Sequence, residues 1–400
     1  MSSGLTALEW LCSVPVAAGS LFWLLSLGTL ARFRRRPIAP LPAEWPPVTL
    51  IKLVCGLEKN LRDTLRSACL QNYPVYQVIF SVRSPEDPAL PLLEEIQAEF
   101  GAERVTLAVE NLHLGPNGKV NNLAGALPHA RYEVLVLSDS DVLLPPDYLR
   151  AMVAPLLDPG VGYVSSLYRA ASAETLAERW MLLTLNADFL PSVVFAYETG
   201  ASHFCLGASV AVRRTTLERI GGPAALADYL VEDYEMGRRI VALGLGHVLA
   251  PCVVDTVLDL PSMGAWWRQQ VQWDQKTRAA RPWAFFATVV IRSVPFAVLL
   301  VVLRRADPVS AVMLAMALIV RWSVAAAWLQ WGLRDREGLR ALLWLPLRDV
   351  AALGSWAAAL LRRKTVWRGE EFLLKRGGRL HGVRTRRQSG CDAAADPHGG

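Results

Sequence analysis

The sequence is poor in charge: only 20% of its 400 residues are charged, whereas 52% are hydrophobic. Soluble domains carry about 25% charged residues, so this shortage predicts contact with lipid. The net formal charge is only +6, and the basic residues cluster beside hydrophobic segments and in the tail. This distribution fits anionic lipid headgroups and argues against a nucleic-acid partner.

Cysteines are also few, six in all, and none belongs to a C-x-x-C motif of the kind that binds a metal. Because they are scattered through apolar sequence, we expect reduced, buried thiols in a cytosolic setting. The sequence has no internal repeats. It also lacks the small-residue cleavage site of a signal peptide, so a hydrophobic segment near the start is predicted to be retained.

Residues 10–31 form such a segment, which is uncharged and long enough to span a bilayer. Arginines at 32 and 34–36 follow it, and they predict an anchor over residues 1–36 with the following domain on the cytoplasmic side. The alternative is a buried core helix. The proline-rich residues 37–47 predict a stiff linker.

Residues 283–369 contain three more apolar segments, at 283–303, 308–333 and 339–361. Each carries ionisable residues, and at membrane depth such groups must face protein or water. The first two segments predict a hairpin of spans. The third either spans or lies in the interface. Residues 370–400 predict a basic, partly disordered tail.

Residues 48–282 predict a cytosolic α/β domain with a mostly parallel sheet, because apolar runs alternate with helical stretches. The predicted strands are 49–54, 77–82, 105–109, 134–138 and 161–166. The predicted helices are 61–70, 90–100, 121–130 and 146–157. Ligands bind at the carboxyl ends of parallel strands, and strand 134–138 ends directly at Asp139 and Asp141.

Asp139 and Asp141 flank a single serine, so their carboxylates could share a divalent cation. Hard oxygen ligands suit Mg²⁺ or Mn²⁺, which also take phosphate oxygens from a substrate. Such a metal offsets the charge of a departing diphosphate. The alternative is a solvated acidic turn or a helix N-cap.

Glu232 and Asp233 begin a helix that is predicted to run to about residue 243. The helix dipole keeps acids at this end ionised, and an ionised carboxylate can act as a general base on an acceptor hydroxyl. Ordinary N-terminal helix charge is the alternative.

Two further stretches combine residues that suit a nucleotide sugar. Lys119, Asn121 and Asn122 follow a Gly- and Asn-rich turn and could bind phosphate, ribose or base edges, or merely form a turn and cap. The aromatic residues of 266–273 could stack on a sugar or form an interfacial belt.

Together these motifs resemble the ceramide glucosyltransferase type of GT-A glycosyltransferase, which includes bacterial relatives associated with hopanoid biosynthesis. The resemblance extends from the first span to about residue 369. It is carried by residues 86–89, 118–123, 138–141, 158–162, 207–209, 220–222, 232–234, 269–273, 346–349 and 366–369.

The resemblance implies a role for each matching residue. Asp87 lies near the nucleotide base, Lys119, Asn121 and Asn122 line the donor pocket, Asp139 and Asp141 bind the metal and diphosphate, Asp233 is the catalytic base, and Gln269, Gln272 and Trp273 lie near the diphosphate and acceptor. One position departs from the family pattern, because Gln272 stands where the (Q/R)-x-x-R-W signature has arginine. Glutamine cannot offset phosphate charge, so Arg268, Lys276 or Arg278 supplies it, or activity is weaker.

The resemblance implies an inverting, Mg²⁺- or Mn²⁺-dependent transfer of one hexose, glucose or N-acetylglucosamine, from a UDP-sugar to a membrane lipid. The acceptor would be the hydroxyl of ceramide or a hopanoid polyol. The enzyme would be a multi-pass protein with a cytoplasmic catalytic domain, in the plasma membrane if bacterial. The alternatives are a polyprenyl-phosphate glycosyltransferase, a processive polysaccharide synthase, or a transporter or scaffold with a degenerate nucleotide-binding domain.

The roles of residues 174–197 and of His203 stay open at this point. Residues 174–197 are apolar for a soluble helix and either rest in the interface near the acceptor entrance or form a core or lid helix. His203 either contacts donor or acceptor or is structural.

Overall fold

The computed structural model describes residues 6–36, 42–202, 204–362, 364–367, 370–374 and 377–384. Parts of the predicted linker and tail, with His203, lie outside these residues. The chain forms two compact units: the first contains Met1–Arg36, Ala170–Ser202 and Leu260–Arg363, and the second contains Pro37–Arg169, His203–Asp259 and Lys364–Gly400. Residues 170–202 and 260–282, which the sequence groups with the α/β domain, thus lie in the first unit. The assignment of residues 48–282 to the catalytic domain stays a prediction.

Eleven strands occur in the described residues. They are β1 Val48–Leu53, β2 Tyr76–Val82, β3 Val105–Val109, β4 Val134–Asp139, β5 Val142–Leu143, β6 Val161–Ala170, β7 Ser209–Arg213, β8 Gly246–Thr256, β9 Lys364–Trp367, β10 Glu370–Leu374 and β11 Leu380–Arg384.

Fifteen α-helices occur in the same part of the chain. They are α1 Ala7–Arg34, α2 Leu61–Cys69, α3 Leu90–Phe100, α4 Gly118–Ala126, α5 Tyr148–Val153, α6 Leu176–Thr184, α7 Leu190–Glu198, α8 Arg214–Arg219, α9 Glu232–Ala242, α10 Met263–Ala280, α11 Pro282–Val290, α12 Ser293–Leu303, α13 Pro308–Ala327, α14 Arg336–Ala341 and α15 Leu345–Leu361. A π-helical stretch, Leu185–Phe189, joins α6 to α7, and another, Trp328–Leu333, extends α13.

The main sheet of the second unit has eight strands in the order β3-β2-β1-β4-β7-β6-β8-β5. β1 pairs in parallel with β2 and β4, and β2 pairs in parallel with β3. β7 is antiparallel to both β4 and β6, and β5 is antiparallel to β8. The α/β class is confirmed, and the sheet is mixed rather than mostly parallel. Alternating strands and helices cannot reveal the antiparallel half, because the chain leaves this unit after β6 and returns as β7 in the opposite direction.

Both faces of the sheet are covered by helices, because successive strand residues point to opposite sides. Leu50 and Val78 pack into a core with α2, α3 and α5. Ile51 and Ile79 pack on the other face with α4, α8 and α9. β1 is buried along its whole length, as strands covered on both faces are. Polar groups that act on a ligand therefore lie beyond the strand ends.

A second, three-stranded antiparallel sheet has the order β11-β10-β9. The residues just before and within β11 pair with the segment that precedes α9. Leu230 N donates to Gly378 O at 2.9 Å, and Leu380 N donates to Asp228 O at 2.8 Å. The end of the described chain thus joins the second unit.

The described residues of the first unit include three helices that are long and apolar enough to cross a membrane: Ala7–Arg34, Leu176–Glu198 and Pro308–Leu333. The pair α11 and α12, bent by 53°, would make a fourth if it counts as one broken span. On α13, Val309, Val312, Met316 and Ile319 are each more than half exposed, at the spacing of one helix face. An apolar stripe of this kind suits lipid. α15, within the segment 339–361 that the sequence left open, is not among the candidate spans.

The cysteines only partly follow the expectation of reduced thiols. Cys12, Cys69 and Cys205 are free and buried, and Cys252 is free and half-buried. Cys55 is disulfide-bonded, so the prediction is wrong at that position. Spacing along a sequence does not show which thiols approach one another in space.

Candidate active site

A buried lysine, Lys52, holds the acidic turn at the end of β4 through the backbone carbonyls of that turn. Lys52, on β1, donates from Nζ to the carbonyl oxygens of Asp139, at 2.9 Å, and Val142. On the other side, Thr256 Oγ1 donates to Asp141 Oδ2 at 3.0 Å. Residues from β1 and β8 therefore fix the turn that carries both aspartates. A lysine within an apolar strand is a signal that the sequence reading passed over.

Negative charge is concentrated at this turn. Ser140 Oγ donates to Glu58 Oε2 at 2.6 Å, which brings a third acid beside the two aspartates. Burial, and then the charges of Asp139 and Glu58, raise the pKa of Asp141 to about 7. Burial lowers the pKa of Lys52 to about 8, although the same carboxylates oppose the shift. The turn is thus a place where an added cation would relieve repulsion.

Lys119 links this turn to α9. Its Nζ lies 2.6 Å from Asp139 Oδ1 and 3.4 Å from Glu232 Oε1, and it donates to Gly207 O at 3.1 Å. Burial alone would lower the pKa of Lys119, but Asp139, Glu232 and Asp233 raise it above its ordinary value. The Lys119 ammonium group therefore contacts Asp139 in the acidic turn, the carbonyl oxygen of Gly207 and Glu232 in the first turn of α9.

Asp233 lies beside Gly207 and near Lys119. Its Oδ1 accepts a hydrogen bond from Tyr234 N at 2.7 Å. A Cβ added to Gly207 would lie 2.4 Å from Asp233 Oδ2, so the carboxylate packs directly over this glycine. The half-buried Tyr168 interacts electrostatically with Asp233, Asp139 and Asp141, and burial followed by these charges raises its pKa. Asp233 thus lies in the same part of the second unit as Asp139 and Asp141, although it is far from them in the sequence.

The loop before α4 is built around Asn117, which the sequence reading missed. Its Oδ1 accepts from Lys119 N at 2.9 Å and Val120 N at 3.1 Å and so caps the helix. Its Nδ2 donates to Tyr229 O at 2.7 Å and to Glu232 Oε2 at 3.1 Å. Asn117 therefore orients Lys119 and Glu232 together. The only signal for it was an asparagine two residues before the lysine.

The neighbouring asparagines bond to the protein backbone. Asn121 Nδ2 donates to Gly115 O at 2.8 Å, and Asn122 Nδ2 donates to Val54 O at 3.1 Å and Ser81 O at 2.9 Å. Both residues are buried. They shape the loops at the ends of β1 and β2, and their contact with a donor stays a prediction.

Asp87 also shapes a strand end. Its Oδ1 accepts from Gly56 N at 3.0 Å and Ala89 N at 2.9 Å, and the residue is buried. The bonds tie the loop after β1 to the start of α3. Gly56 has φ 74°, a conformation that favours glycine. A role near the nucleotide base stays a prediction.

Gln269, Gln272 and Trp273 lie on α10, in the first unit. Arg278, one of three cations that could replace the missing family arginine, donates to the carbonyl oxygens of Leu360 and Arg362 at the end of α15. Arg268, Lys276 and Arg278 stay the predicted replacements. The predicted diphosphate contacts of all these residues stay predictions.

The donor set of the turn fits a divalent cation that is shared with a substrate. Within the residues that the structure describes, no three His, Cys, Asp or Glu side chains converge as a protein-only metal site requires. Asp139 and Asp141 supply two hard carboxylate ligands, and burial, followed by the charge of Asp139, raises the pKa of Asp141. Mg²⁺ and Mn²⁺ commonly take one or two carboxylates and fill their other positions with water and phosphate.

Residues 14–380 match the sequence model of the family described as Glycosyl transferase family 21. A ceramide glucosyltransferase from Candida albicans is 31% identical over 182 residues, which cover 39% of this chain and 33% of the relative. Ceramide glucosyltransferase 1 from Caenorhabditis elegans is 24% identical over 209 residues, which cover 50% of this chain and 43% of the relative. The chain thus spans less than half the length of these relatives.

Among solved structures, a mannosyltransferase from Pyrobaculum calidifontis, in complex with GDP-Man and Mn²⁺, has a TM-score of 0.56 and 24% identity. The match covers 88% of this chain and 98% of that chain. At this level of identity the likeness shows the fold alone. The GT-A fold expected from the sequence is confirmed.

Proposed function

Because this chain belongs to glycosyl transferase family 21, we propose that it transfers one hexose from a UDP-sugar to the hydroxyl of a membrane lipid. The observation that carries the proposal is the meeting of Asp233 with Asp139 around Lys119 and Gly207. A base and a diphosphate site that share one neighbourhood are what a direct displacement needs.

In the proposed reaction, Asp233 accepts the proton of the lipid hydroxyl while that oxygen attacks the anomeric carbon of the donor. The bond to the diphosphate breaks on the opposite face. One displacement inverts the anomeric centre, so an α-linked donor gives a β-glycoside. The position of Asp233 in the first turn of α9 favours its ionised form.

The other residues of the site hold the donor side in place. Lys52 and Thr256 fix the turn, and Lys119 holds the Asp139 carboxylate. Mg²⁺ or Mn²⁺ at Asp139 and Asp141 would supply the positive charge that stabilises the departing diphosphate. We propose that Arg268, Lys276 or Arg278 supplies the positive charge that Gln272 lacks.

Relatives suggest the first substrates to test. The matched proteins from Candida albicans and Caenorhabditis elegans are named ceramide glucosyltransferases, which supports glucose as the sugar and ceramide as the acceptor. N-acetylglucosamine and a hopanoid polyol belong in the same panel. We place the catalytic unit on the cytoplasmic side, at the plasma membrane if the source is bacterial, because arginines 32 and 34–36 follow the first span.

Asp233→Asn tests the proposal, since it keeps the shape of the side chain and removes the base. We expect formation of the glycolipid, followed by mass spectrometry with a panel of UDP-sugars and lipids, to be abolished while UDP-sugar binding persists. Asp228→Asn is the matched control, because Asp228 lies on the same segment with an exposed side chain.

Three results would point to other functions. Turnover that survives in Asp233→Asn indicates an acceptor that is already ionised, such as a polyprenyl phosphate. A membrane-retained polymer in place of a single-sugar lipid indicates a processive synthase. No UDP release from the wild type with any acceptor indicates a transporter or scaffold.

A further inference from the structure

The first unit contains a partly open cavity of about 160 Å³, and most of the residues that line it are polar or charged although the surrounding helices are apolar. Parts of α10 and α15, the break between α11 and α12, and the π-helical stretch before α7 contribute to its wall. Each of the segments 283–303, 308–333 and 339–361 contributes an ionisable residue to the lining, namely Arg292, Arg321 and Arg348. They face protein rather than lipid, as their cost at membrane depth requires.

The break between α11 and α12 supplies one side of the cavity. Ile291, Arg292 and Ser293 line it at the point where the helix pair bends by 53°. α1 fits closely against the break, since a Cβ on Gly19 would lie 2.7 Å from Ile291 O. Interrupted backbone in a membrane helix is tolerated where it lines a polar cavity. The bend between α11 and α12 therefore forms part of the cavity wall.

The formal charges of the lining cancel. Arg321 Nε donates to Asp349 Oδ2 at 2.8 Å, and Arg348 bonds to Asp349 Oδ1 at 2.7 Å and to Asp188 Oδ2 at 2.5 Å. Arg292 and Asp274 complete the set of three arginines and three aspartates. A ligand with a net charge would upset this balance, whereas a neutral polar group would not.

Three buried polar atoms in the wall have no hydrogen-bond partner among the described residues: Gln270 Oε1, Arg292 Nε and Ser293 Oγ. Gln270 is 5% exposed and Ser293 is 1% exposed. The first atom accepts, the second donates, and the hydroxyl does both. A group that satisfies them must offer both a donor and an acceptor, as a hydroxyl or an amide does. A phosphate offers no donor to Gln270 and would face the three carboxylates.

We propose that this cavity binds the neutral head of a membrane lipid through hydroxyl and amide groups. A lipid fits better than a water-soluble molecule, because α12 starts at the cavity and carries the exposed side chains of Val298 and Val302 along its length. The identification of this lipid as the sugar acceptor rests on the proposed function. Binding itself does not.

The test uses the purified full chain in nanodiscs and a photoactivatable lipid whose head has one amide and two hydroxyls. The double variant Gln270→Met with Ser293→Ala removes two of the unpartnered atoms. The matched control is Gln330→Met with Ser323→Ala, which makes the same changes at exposed positions of the same unit. Photolabelling yield, mapped by mass spectrometry, and displacement by unlabelled lipids are measured.

We expect labelled peptides around residues 270 and 293, displacement by the neutral lipid, and about tenfold weaker displacement in the cavity variant only. Preferential displacement by phosphatidylglycerol or a polyprenyl phosphate would overturn the proposal, as would equal weakening in the control. If thermal unfolding shows that the double variant does not fold, Gln270→Met alone carries the comparison. Wild-type binding without any sugar transfer would sink the proposed function and leave the lipid site standing.

Discussion

Lys119 Nζ lies 2.6 Å from Asp139 Oδ1, in an ion pair that joins the start of α4 to the end of β4. The same ammonium lies 3.4 Å from Glu232 Oε1, beside the proposed base. A single side chain thus couples the half of the site that would hold the diphosphate to the half that would deprotonate the acceptor. Both halves should respond when it is changed.

Lys119→Met removes this charge while keeping a chain of similar length. We expect kcat/KM for the UDP-sugar to fall by about 10- to 100-fold, since a charged hydrogen bond contributes roughly 1.5–3 kcal/mol. Steady-state kinetics measure the change, and Lys119→Arg should recover part of it. Unchanged kinetics in the methionine variant would show that the ion pair has no part in the reaction.

Gly207→Ala should disable the base without touching it chemically. The new Cβ would lie 2.4 Å from Asp233 Oδ2, so the carboxylate must move. A displaced catalytic group can lower kcat on the order of a hundredfold. Gly246→Ala is the control, because its nearest new contact is Gly160 O at 3.4 Å, an ordinary distance. Equal activity in the two variants would contradict the placement of Asp233.

The metal-free protein should lose stability as pH rises from about 4 to about 7. The pKa of Asp141 is about 7 in the folded chain, above the ordinary value of 3.8, so folding takes up a proton in this window. The contribution is complete below the unfolded pKa and disappears as pH passes the folded one. Melting temperatures in chelator should therefore vary less with pH in Asp141→Asn. An identical pH profile in the variant would rule out this titration.

Proton competition should also appear in metal binding. If Asp141 is a ligand, its carboxyl must lose a proton first, so affinity for Mn²⁺ should fall about tenfold per pH unit below about 7. Calorimetric titrations at several pH values measure the slope. A flat profile would remove Asp141 from the metal site.

Asp349→Asn should destabilise the first unit strongly. Asp349 accepts hydrogen bonds from both Arg321 and Arg348, which are buried. Removing one partner of a buried ion pair costs about 3–5 kcal/mol. Glu337→Gln breaks the exposed pair with Arg340, where the loss should be below about 1 kcal/mol. Thermal unfolding in detergent compares the two, and similar stabilities would contradict the buried network.

The parallel half of the main sheet could be predicted because β1, β2, β3 and β4 are apolar runs separated by helices. β7 and β8 were not predicted. β7 is only five residues long, and β8 contains Pro251, a residue that argues against a central strand. The resemblance to a family, rather than any local pattern, brought Asp233 into the site.

The supporting residues of the site were harder to recognise. Lys52 stands out as a charged residue in an apolar strand, but the sequence does not show that it bonds to the carbonyl oxygens of Asp139 and Val142. Asn117 reads as an ordinary turn residue, although its amide joins two loops 112 positions apart. Such roles depend on contacts between distant segments, and those contacts have no counterpart in local sequence.

The pairing of Gly378 and Leu380 with the segment before α9 has a consequence for synthesis of the chain. Asp228 and Leu230 are translated long before their partners, which leave the ribosome only after α15 has been made. The segment that leads to Asp233 therefore forms these backbone hydrogen bonds only after β11 has been synthesised. A fragment that stops at residue 282 would lack both hydrogen-bond partners of this segment.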